Sequence, residues 1–194
     1  MHQNGKGRGG LSITQIPLHI IHLSQDDPKK CTARKLERLG LAIIHENMRR
    51  LPRRGVLLDP LAGQILGPDD LQEMKRGGSL VALDCSWKKC DASFEDVKRK
   101  SPKLFPRTLP LVLAANEVSW GNLGRLSTVE ALAVCLILMG EREQAEKILA
   151  PFRFGEQFLE LNSEPLAAYS EAKSNVELVE LQWEFFDKPD GASG

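Results

Sequence analysis

Leu80-Val81-Ala82-Leu83 is an apolar run of strand length, and it leads directly into Asp84-Cys85-Ser86-Trp87. Because Gly77-Gly78 precedes the run, we predict a short buried strand with polar and aromatic side chains at its carboxyl end. Three other runs predict strands of the same kind: His19–Leu23, Val56–Leu58 and Leu109–Ala115.

Amphipathic stretches separate these strands. Helices are predicted over Thr32–Leu51, over Asp69–Lys75 and near Ser93–Lys98, where apolar residues recur at helical spacing. Strands that alternate with helices are typical of an α/β fold, in which a parallel sheet is covered on both faces.

The second half of the chain is predicted to be all-helical. Ser127 and Glu130 have the spacing of a capping box, which opens an apolar helix that ends at Gly140. Further helices are predicted over Arg142–Ala150, from Ser163 through Tyr169, and after Ser174. We therefore predict an α/β half over residues 1–115, with a flexible basic tail at 1–15, and a helical half over residues 116–194.

The composition is that of a globular protein, with 42% hydrophobic and 27% charged residues in a chain of 194. The longest apolar run, Ala131–Met139, is much shorter than the ~20 residues of a transmembrane helix. No export signal is recognisable, and we predict a cytoplasmic protein without a membrane partner. The four cysteines lack the spacing of a zinc site, so no metal is predicted.

Charge is unevenly distributed although the net charge is zero. Between Lys29 and Arg54 there are nine basic and two acidic residues, whereas between Gly155 and Gly194 there are nine acidic and two basic residues. This asymmetry suits either a localised polyanion-binding face or two solvated helix faces of opposite sign.

Polar side chains follow the predicted strands at Asp26-Asp27, Asp59-Pro60, Asp84 and Asn116-Glu117. The carboxyl ends of parallel strands meet at one edge of a sheet, where ligands bind. The pattern predicts a ligand crevice at that edge without naming the ligand.

Five strings occur in an informative order. They are Asp26-Asp27-Pro28-Lys29-Lys30-Cys31-Thr32, Leu83-Asp84-Cys85-Ser86-Trp87, Leu109-Pro110-Leu111-Val112-Leu113-Ala114-Ala115-Asn116, Leu126-Ser127-Thr128-Val129-Glu130-Ala131-Leu132-Ala133 and Phe152-Arg153-Phe154-Gly155-Glu156-Gln157-Phe158-Leu159-Glu160-Leu161-Asn162. Over about residues 17–175 the chain resembles the family of small-subunit rRNA aminocarboxypropyltransferases. One loop departs from the family pattern Asn-Pro-Val-Asn-Tyr-Gly, since this chain reads Asn116-Glu117-Val118-Ser119-Trp120-Gly121.

The resemblance implies a SPOUT-like fold with a deep trefoil knot. It also implies that S-adenosylmethionine is the co-substrate and that its 3-amino-3-carboxypropyl group moves to N3 of a pseudouridine, commonly N1-methylated, in small-subunit rRNA. The by-product would be 5′-methylthioadenosine, and the role would be in ribosome biogenesis. We expect a monomer, because the acidic helical half would shield the surface through which many SPOUT proteins dimerise.

The resemblance also implies the cofactor-binding residues. Thr32 and the Thr128 amide would bind the carboxylate of S-adenosylmethionine, and the Leu83 carbonyl would bind its ribose. Leu58, Pro60 and backbone near Leu109 would surround the adenine. Trp87 would cover the methyl group of S-adenosylmethionine.

Asp84 and Trp87 are the candidate catalytic residues. The sulfonium has three carbons open to attack, and only the one held in line reacts, so covering the methyl with Trp87 would select the group that moves. A carboxylate at Asp84 would accept the proton that the attacking N3 must lose. The alternatives are that Trp87 packs in the core and that Asp84 caps a turn.

Five basic residues in or beside these strings are candidate RNA contacts: Lys30, Lys35, Lys88, Arg107 and Arg125. Such residues would bind phosphates of the rRNA or the pre-ribosomal small subunit and would position the RNA without reading its sequence. Taken one at a time, each is more typical of a solvated surface charge than of an RNA contact.

Two other functions remain open at this point. One is a SPOUT-like RNA methyltransferase that uses the same cofactor, and the other is a non-catalytic RNA-binding assembly factor. The by-product distinguishes the first of these from an aminocarboxypropyltransferase, and a failure to bind S-adenosylmethionine would favour the second.

Overall fold

The structure is a computed structural model that describes residues 15–22, 31–84 and 90–188. Its strands are β1 (Leu18–His22), β2 (Ile43–His45), β3 (Gly55–Leu58), β4 (Ser79–Asp84) and β5 (Leu104–Arg107). They form one sheet in the order β2-β1-β4-β3-β5, and every pairing is parallel. The predicted α/β class with a parallel sheet is therefore confirmed.

The helices before β5 are α1 (Thr32–Arg38), α2 (Leu71–Lys75) and α3 (Cys90–Lys100). After β5 come α4 (Thr128–Leu138), α5 (Arg142–Leu149), α6 (Gly155–Leu161), α7 (Ser163–Glu171) and α8 (Asn175–Phe185). In the described parts of the chain, no helix has the length and apolarity to cross a membrane. The predicted division of the chain near residue 115 stays a prediction, as does the tail, most of which lies outside the described residues.

The sheet is covered on both faces. Leu80 and Ala82 of β4 join the larger apolar core, which includes α4, whereas Val81 packs in a second cluster with Phe94 and Val97 of α3. This alternation follows from the pleat of the strand, whose successive side chains point to opposite faces. Helix α4 is buried along nearly its whole length, as its apolar sequence predicts.

The capping box that was predicted at the start of α4 is confirmed. The Ser127 hydroxyl accepts a hydrogen bond from the Glu130 amide, and the Glu130 carboxylate accepts one from the Ser127 amide. The helix ends at the glycine expected, because Gly140 adopts a φ of 81°.

The predicted helix Thr32–Leu51 is wrong beyond Arg38. Gly40 has a φ of 66° and closes α1, since its left-handed conformation is strained for other residues. The chain then enters β2, in which Ile43 pairs with His19 of β1. Two β-branched isoleucines fit this edge strand better than a continued helix.

The predicted strand Leu109–Ala115 is also wrong, because the segment is extended but makes only an isolated bridge between Leu113 and Leu123. Side chains from the later, helical part of the chain satisfy some of its backbone groups, and backbone groups of residues 121–124 satisfy others. Asn162 accepts from the Leu113 amide at 2.7 Å and donates to its carbonyl at 2.9 Å. Tyr169 donates to the Leu111 carbonyl at 3.0 Å.

The fifth strand, β5, was not predicted. It contains Pro106, which has no amide hydrogen and lowers the strand propensity of the segment. The proline is tolerated because β5 lies at the edge of the sheet, beside β3 alone.

Candidate active site

A cleft of about 1490 Å³ opens where the carboxyl ends of β3 and β4 meet the first turns of α1 and α4. Seven of the residues predicted for catalysis or cofactor binding line it: Thr32, Leu58, Pro60, Leu83, Asp84, Leu109 and Thr128. The predicted ligand position at the carboxyl edge of the sheet therefore coincides with a cleft. Trp87, Lys30 and Lys88 lie outside the described residues, and their roles stay predictions.

Asp84 is the most constrained polar group of this cleft. It ends β4 directly opposite His22 of β1, and the two side chains meet at 2.8 Å between Nδ1 and a carboxylate oxygen. The Cys31 thiol donates to the same oxygen at 3.2 Å, and the Thr128 hydroxyl donates to the other oxygen at 3.1 Å. Three elements thus fix the orientation of a carboxylate that is only 13% exposed.

The hydrogen bonds to Asp84 still leave it able to accept another. An ionised carboxylate offers about four lone-pair positions, of which three are occupied here. Burial raises the pKa of the Cys31 thiol, and the nearby negative charge of Asp84 raises it further. The thiol therefore stays protonated and acts as a donor.

His22, Cys31 and Asp84 also have the spacing of metal ligands, since their ligand atoms all lie within 4.8 Å of one another. A cysteine binds a metal as the thiolate, so metal binding here would have to displace the thiol proton. Hydrogen bonds account for the cluster without a metal, and the absence of a metal stays a prediction. The one signal for His22 in the sequence was its place near the end of a predicted strand.

Glu130 lies behind the loop that borders the cleft, and the sequence did not reveal its full role. It is completely buried and accepts five hydrogen bonds. One oxygen accepts from the amides of Ala115 and Asn116, at 2.7 and 3.0 Å. The other accepts from the Asn116 side chain at 2.8 Å and from the Ser127 amide and hydroxyl at 2.7 Å each. Glu130 thereby holds both ends of the loop 115–127, which borders the cleft.

Lys35 and Arg107, two of the predicted RNA contacts, line the cleft but are engaged inside the protein. The Lys35 ammonium donates to the Pro151 carbonyl and lies 4.7 Å from the centre of the Phe152 ring. The Arg107 guanidinium contacts Asp70 at 2.8 Å. These contacts give both residues structural roles, whereas contact with RNA stays a prediction.

Three arginines at the cleft are better placed to meet a polyanion. Arg38 and Arg153 line the cleft and are exposed, and Arg125 is exposed in the adjoining loop. Within residues 15–22, 31–84 and 90–188, none of the three forms an ion pair with an acidic side chain. Only Arg125 was predicted; Arg153 stands in the fifth string quoted above, and nothing in the sequence singled out Arg38.

Residues 56–186 match the family described as "Ribosome biogenesis protein, C-terminal". Residues 16–49 match a "Possible Fer4-like domain in RNase L inhibitor, RLI". The latter stretch contains a single cysteine, Cys31, whereas an iron–sulfur cluster is held by four cysteine ligands.

Curated relatives cover most of the chain. It is 45% identical over 167 residues to the 16S rRNA aminocarboxypropyltransferase of Methanosarcina mazei, covering 86% of this chain and 93% of the relative. To the protein of the same name from Halobacterium salinarum it is 41% identical over 172 residues, covering 89% and 98%. Among solved structures, the SAM-dependent rRNA:acp-transferase Tsr3 from Vulcanisaeta distributa is 34% identical and has a TM-score of 0.74, over 88% of this chain and 89% of that one.

Proposed function

Because this chain belongs to the family of 16S rRNA aminocarboxypropyltransferases, we propose that the cleft is where it joins S-adenosylmethionine to RNA. The chain is an S-adenosylmethionine-dependent transferase that moves the aminocarboxypropyl group to rRNA in ribosome biogenesis. The acceptor proposed is N3 of a pseudouridine in small-subunit rRNA, commonly N1-methylated, and the by-product is 5′-methylthioadenosine. The observation that carries this assignment is the convergence of Thr32, Asp84 and Thr128 in one cleft.

The cleft suits the parts of S-adenosylmethionine. Thr128 is the first residue of α4, and the first amides of a helix have no partner within it, so they suit the carboxylate of the amino acid. The apolar side chains of Leu58, Pro60 and Leu109 suit the flat face of adenine. The negative charge of Asp84 favours the amine and sulfonium cations.

S-Adenosylmethionine supplies an electrophilic carbon beside a sulfonium leaving group. The protein must present one of three such carbons to the RNA and keep the others from reacting. We assign the covering of the methyl to Trp87. Asp84 would accept the N3 proton through its free lone-pair position or would orient the acceptor, since three hydrogen bonds hold it in place.

The RNA-facing side of the cleft is assigned to Arg38, Arg125 and Arg153. Each is exposed at or beside the cleft, which suits phosphate binding and predicts affinity that falls as salt rises. Lys30 and Lys88 are kept as further candidates. Lys35 and Arg107 would contribute mainly by shaping the cleft.

The finer fold proposed is SPOUT-like, with a trefoil knot. It is supported by the segment 109–115, which follows the edge strand β5 and is wedged between side chains of the later helices. A monomer in the cytoplasm is proposed with it.

Two binding and product measurements test the proposal. Titration calorimetry should show that the protein binds S-adenosylmethionine, and chromatography after incubation with 16S rRNA should show 5′-methylthioadenosine. S-Adenosylhomocysteine as the only by-product would instead identify a methyltransferase. Absence of S-adenosylmethionine binding would favour a non-catalytic assembly factor.

A further inference from the structure

The loop beside the cleft exposes an unusual amount of apolar surface. Val118 is 83% exposed, Trp120 58% and Leu123 42%, all within six positions of one another. A single exposed apolar residue needs no explanation, but a cluster that contains tryptophan marks a binding surface. Val118 and Glu117 also line the cleft, so the cluster borders the proposed reaction site.

This loop is held in place rather than left free. The Asn116 side-chain oxygen accepts from the amides of Val118 and Ser119, at 3.2 and 3.0 Å. The Gly121 amide donates to the Ala114 carbonyl at 2.7 Å, and Gly121 adopts a φ of 74°. The buried carboxylate of Glu130 anchors the start of the loop. Trp120 is therefore presented to solvent on a fixed backbone, which lowers the entropy lost when a ligand binds.

The chemistry of the loop fits an unpaired nucleobase. RNA-binding proteins stack unpaired bases on exposed aromatic rings, and such contacts contribute measurably to affinity. Arg125, at the end of the same loop, is exposed and its carbonyl is fixed by Asn116, which places a cation for a neighbouring phosphate. Trp120 itself does not line the cleft, so a base stacked on it would be a neighbour of the acceptor and not the acceptor.

We propose that Trp120 is the stacking platform for an unpaired RNA base adjacent to the nucleotide being modified. The proposal rests on the proposed function, because it assumes that the acceptor RNA enters the cleft. It adds the requirement that the acceptor lie in single-stranded RNA, with a base beside it that can leave the stack.

The test compares Trp120→Ala, Trp120→Phe and the control Val176→Ala. Val176 is 74% exposed on α8 and does not line the cleft. Initial rates are measured with a small-subunit rRNA hairpin and labelled S-adenosylmethionine. Trp120→Ala should raise KM for the RNA about tenfold, which corresponds to about 1.4 kcal/mol of lost stacking. Trp120→Phe should recover most of the loss, and Val176→Ala should match the wild type.

Two further measurements separate stacking from a general loss of structure. The affinity for S-adenosylmethionine and the melting temperature of Trp120→Ala should equal those of the wild type, because the side chain is exposed. Replacing the neighbouring RNA base with an abasic nucleotide should weaken wild-type binding but should have little effect on Trp120→Ala.

An unchanged KM for RNA in Trp120→Ala would overturn the proposal, and so would a full abasic effect in that variant. A change in oligomeric state without a change in RNA affinity would assign the surface to a second copy of the chain and would also overturn it. If the wild type transfers no group to RNA, the proposed function fails. Loss of RNA binding in Trp120→Ala, measured separately by filter retention, would then still support the stacking of an RNA base on Trp120.

Discussion

Replacing Glu130 with glutamine tests how the cleft loop is held. The carboxylate accepts two hydrogen bonds on one oxygen and three on the other, all between 2.7 and 3.0 Å. A glutamine amide keeps one oxygen but turns the other position into a donor. Whichever way the amide is oriented, at least two buried donors then face another donor.

The loss of stability expected for Glu130→Gln is set by those two unsatisfied donors. A hydrogen bond to a charged acceptor is worth about 1.5–3 kcal/mol, and burial in this fully enclosed position leaves no water to replace it. Glu130→Gln should therefore lower the free energy of unfolding by about 3 kcal/mol. For a chain of this size, that corresponds to a fall in melting temperature of roughly 6–12 °C.

Urea unfolding gives the free energy, and amide hydrogen exchange gives the location of the loss. Protection should fall at Ala115 and Asn116, whose amides bond to Glu130. The matched control is Glu143→Gln, an exposed glutamate in the first turn of α5, which should change stability by less than about 0.5 kcal/mol. If Glu130→Gln is as stable as the control and keeps its protection, the carboxylate does not anchor the loop.

Three further predictions concern pH, RNA and the cofactor. Burial, aided by the neighbouring His45, lowers the pKa of His19 to about 4, below its ordinary 6.5. The resulting stability is present above pH 6.5 and is lost as pH falls from 6.5 towards 4, so urea unfolding of His19→Gln should depend less on pH in that window. The same dependence of unfolding free energy on pH in the wild type and in His19→Gln would contradict this. Arg153→Gln should weaken RNA binding about threefold and flatten its salt dependence, whereas Arg107→Gln should chiefly lower stability, as filter binding and melting curves would show. If Arg107→Gln instead weakens RNA binding and leaves stability unchanged, Arg107 contacts the RNA. Thr128→Val keeps the backbone amide but removes the hydroxyl that orients the Asp84 carboxylate, so it should weaken S-adenosylmethionine binding about tenfold in calorimetry, while Thr128→Ser retains it. Equal affinity in all three proteins would show that this hydroxyl does not help to hold the cofactor.

The strands and helices with strong local signals were predictable. The run ending in Asp84 formed a strand because four apolar residues suit a central, fully covered position in the sheet. The helix opened by Ser127 formed because the capping residues and the apolar stretch specify the same structure.

The predictions were wrong where contacts with residues far away in the sequence determine the backbone conformation. The segment Leu109–Ala115 has the composition of a strand, yet its amides and carbonyls bond to side chains of Glu130, Asn162 and Tyr169. No local pattern shows that those side chains arrive there. The same holds for α1, which ends early because β1 offers Ile43 a place at the sheet edge.

The strings shared with the family pointed to the residues that line the cleft. Charge alone did not distinguish basic residues that are bonded inside the protein from those exposed to RNA. Lys35 and Arg107 resemble Arg153 in sequence terms, since all three stand in or near those strings. They differ in their surroundings, because the first two have internal partners and Arg153 has none among the acidic side chains of the described residues. His22 became part of the site because the β1–β4 register places it opposite Asp84.

The chain transfers the aminocarboxypropyl group, and not the methyl group, to RNA. The measurement supplies the protein and 16S rRNA with S-adenosylmethionine labelled either in the carboxyl carbon or in the methyl carbon. Only the carboxyl label should enter the RNA. Entry of the methyl label alone would contradict the account and identify a methyltransferase.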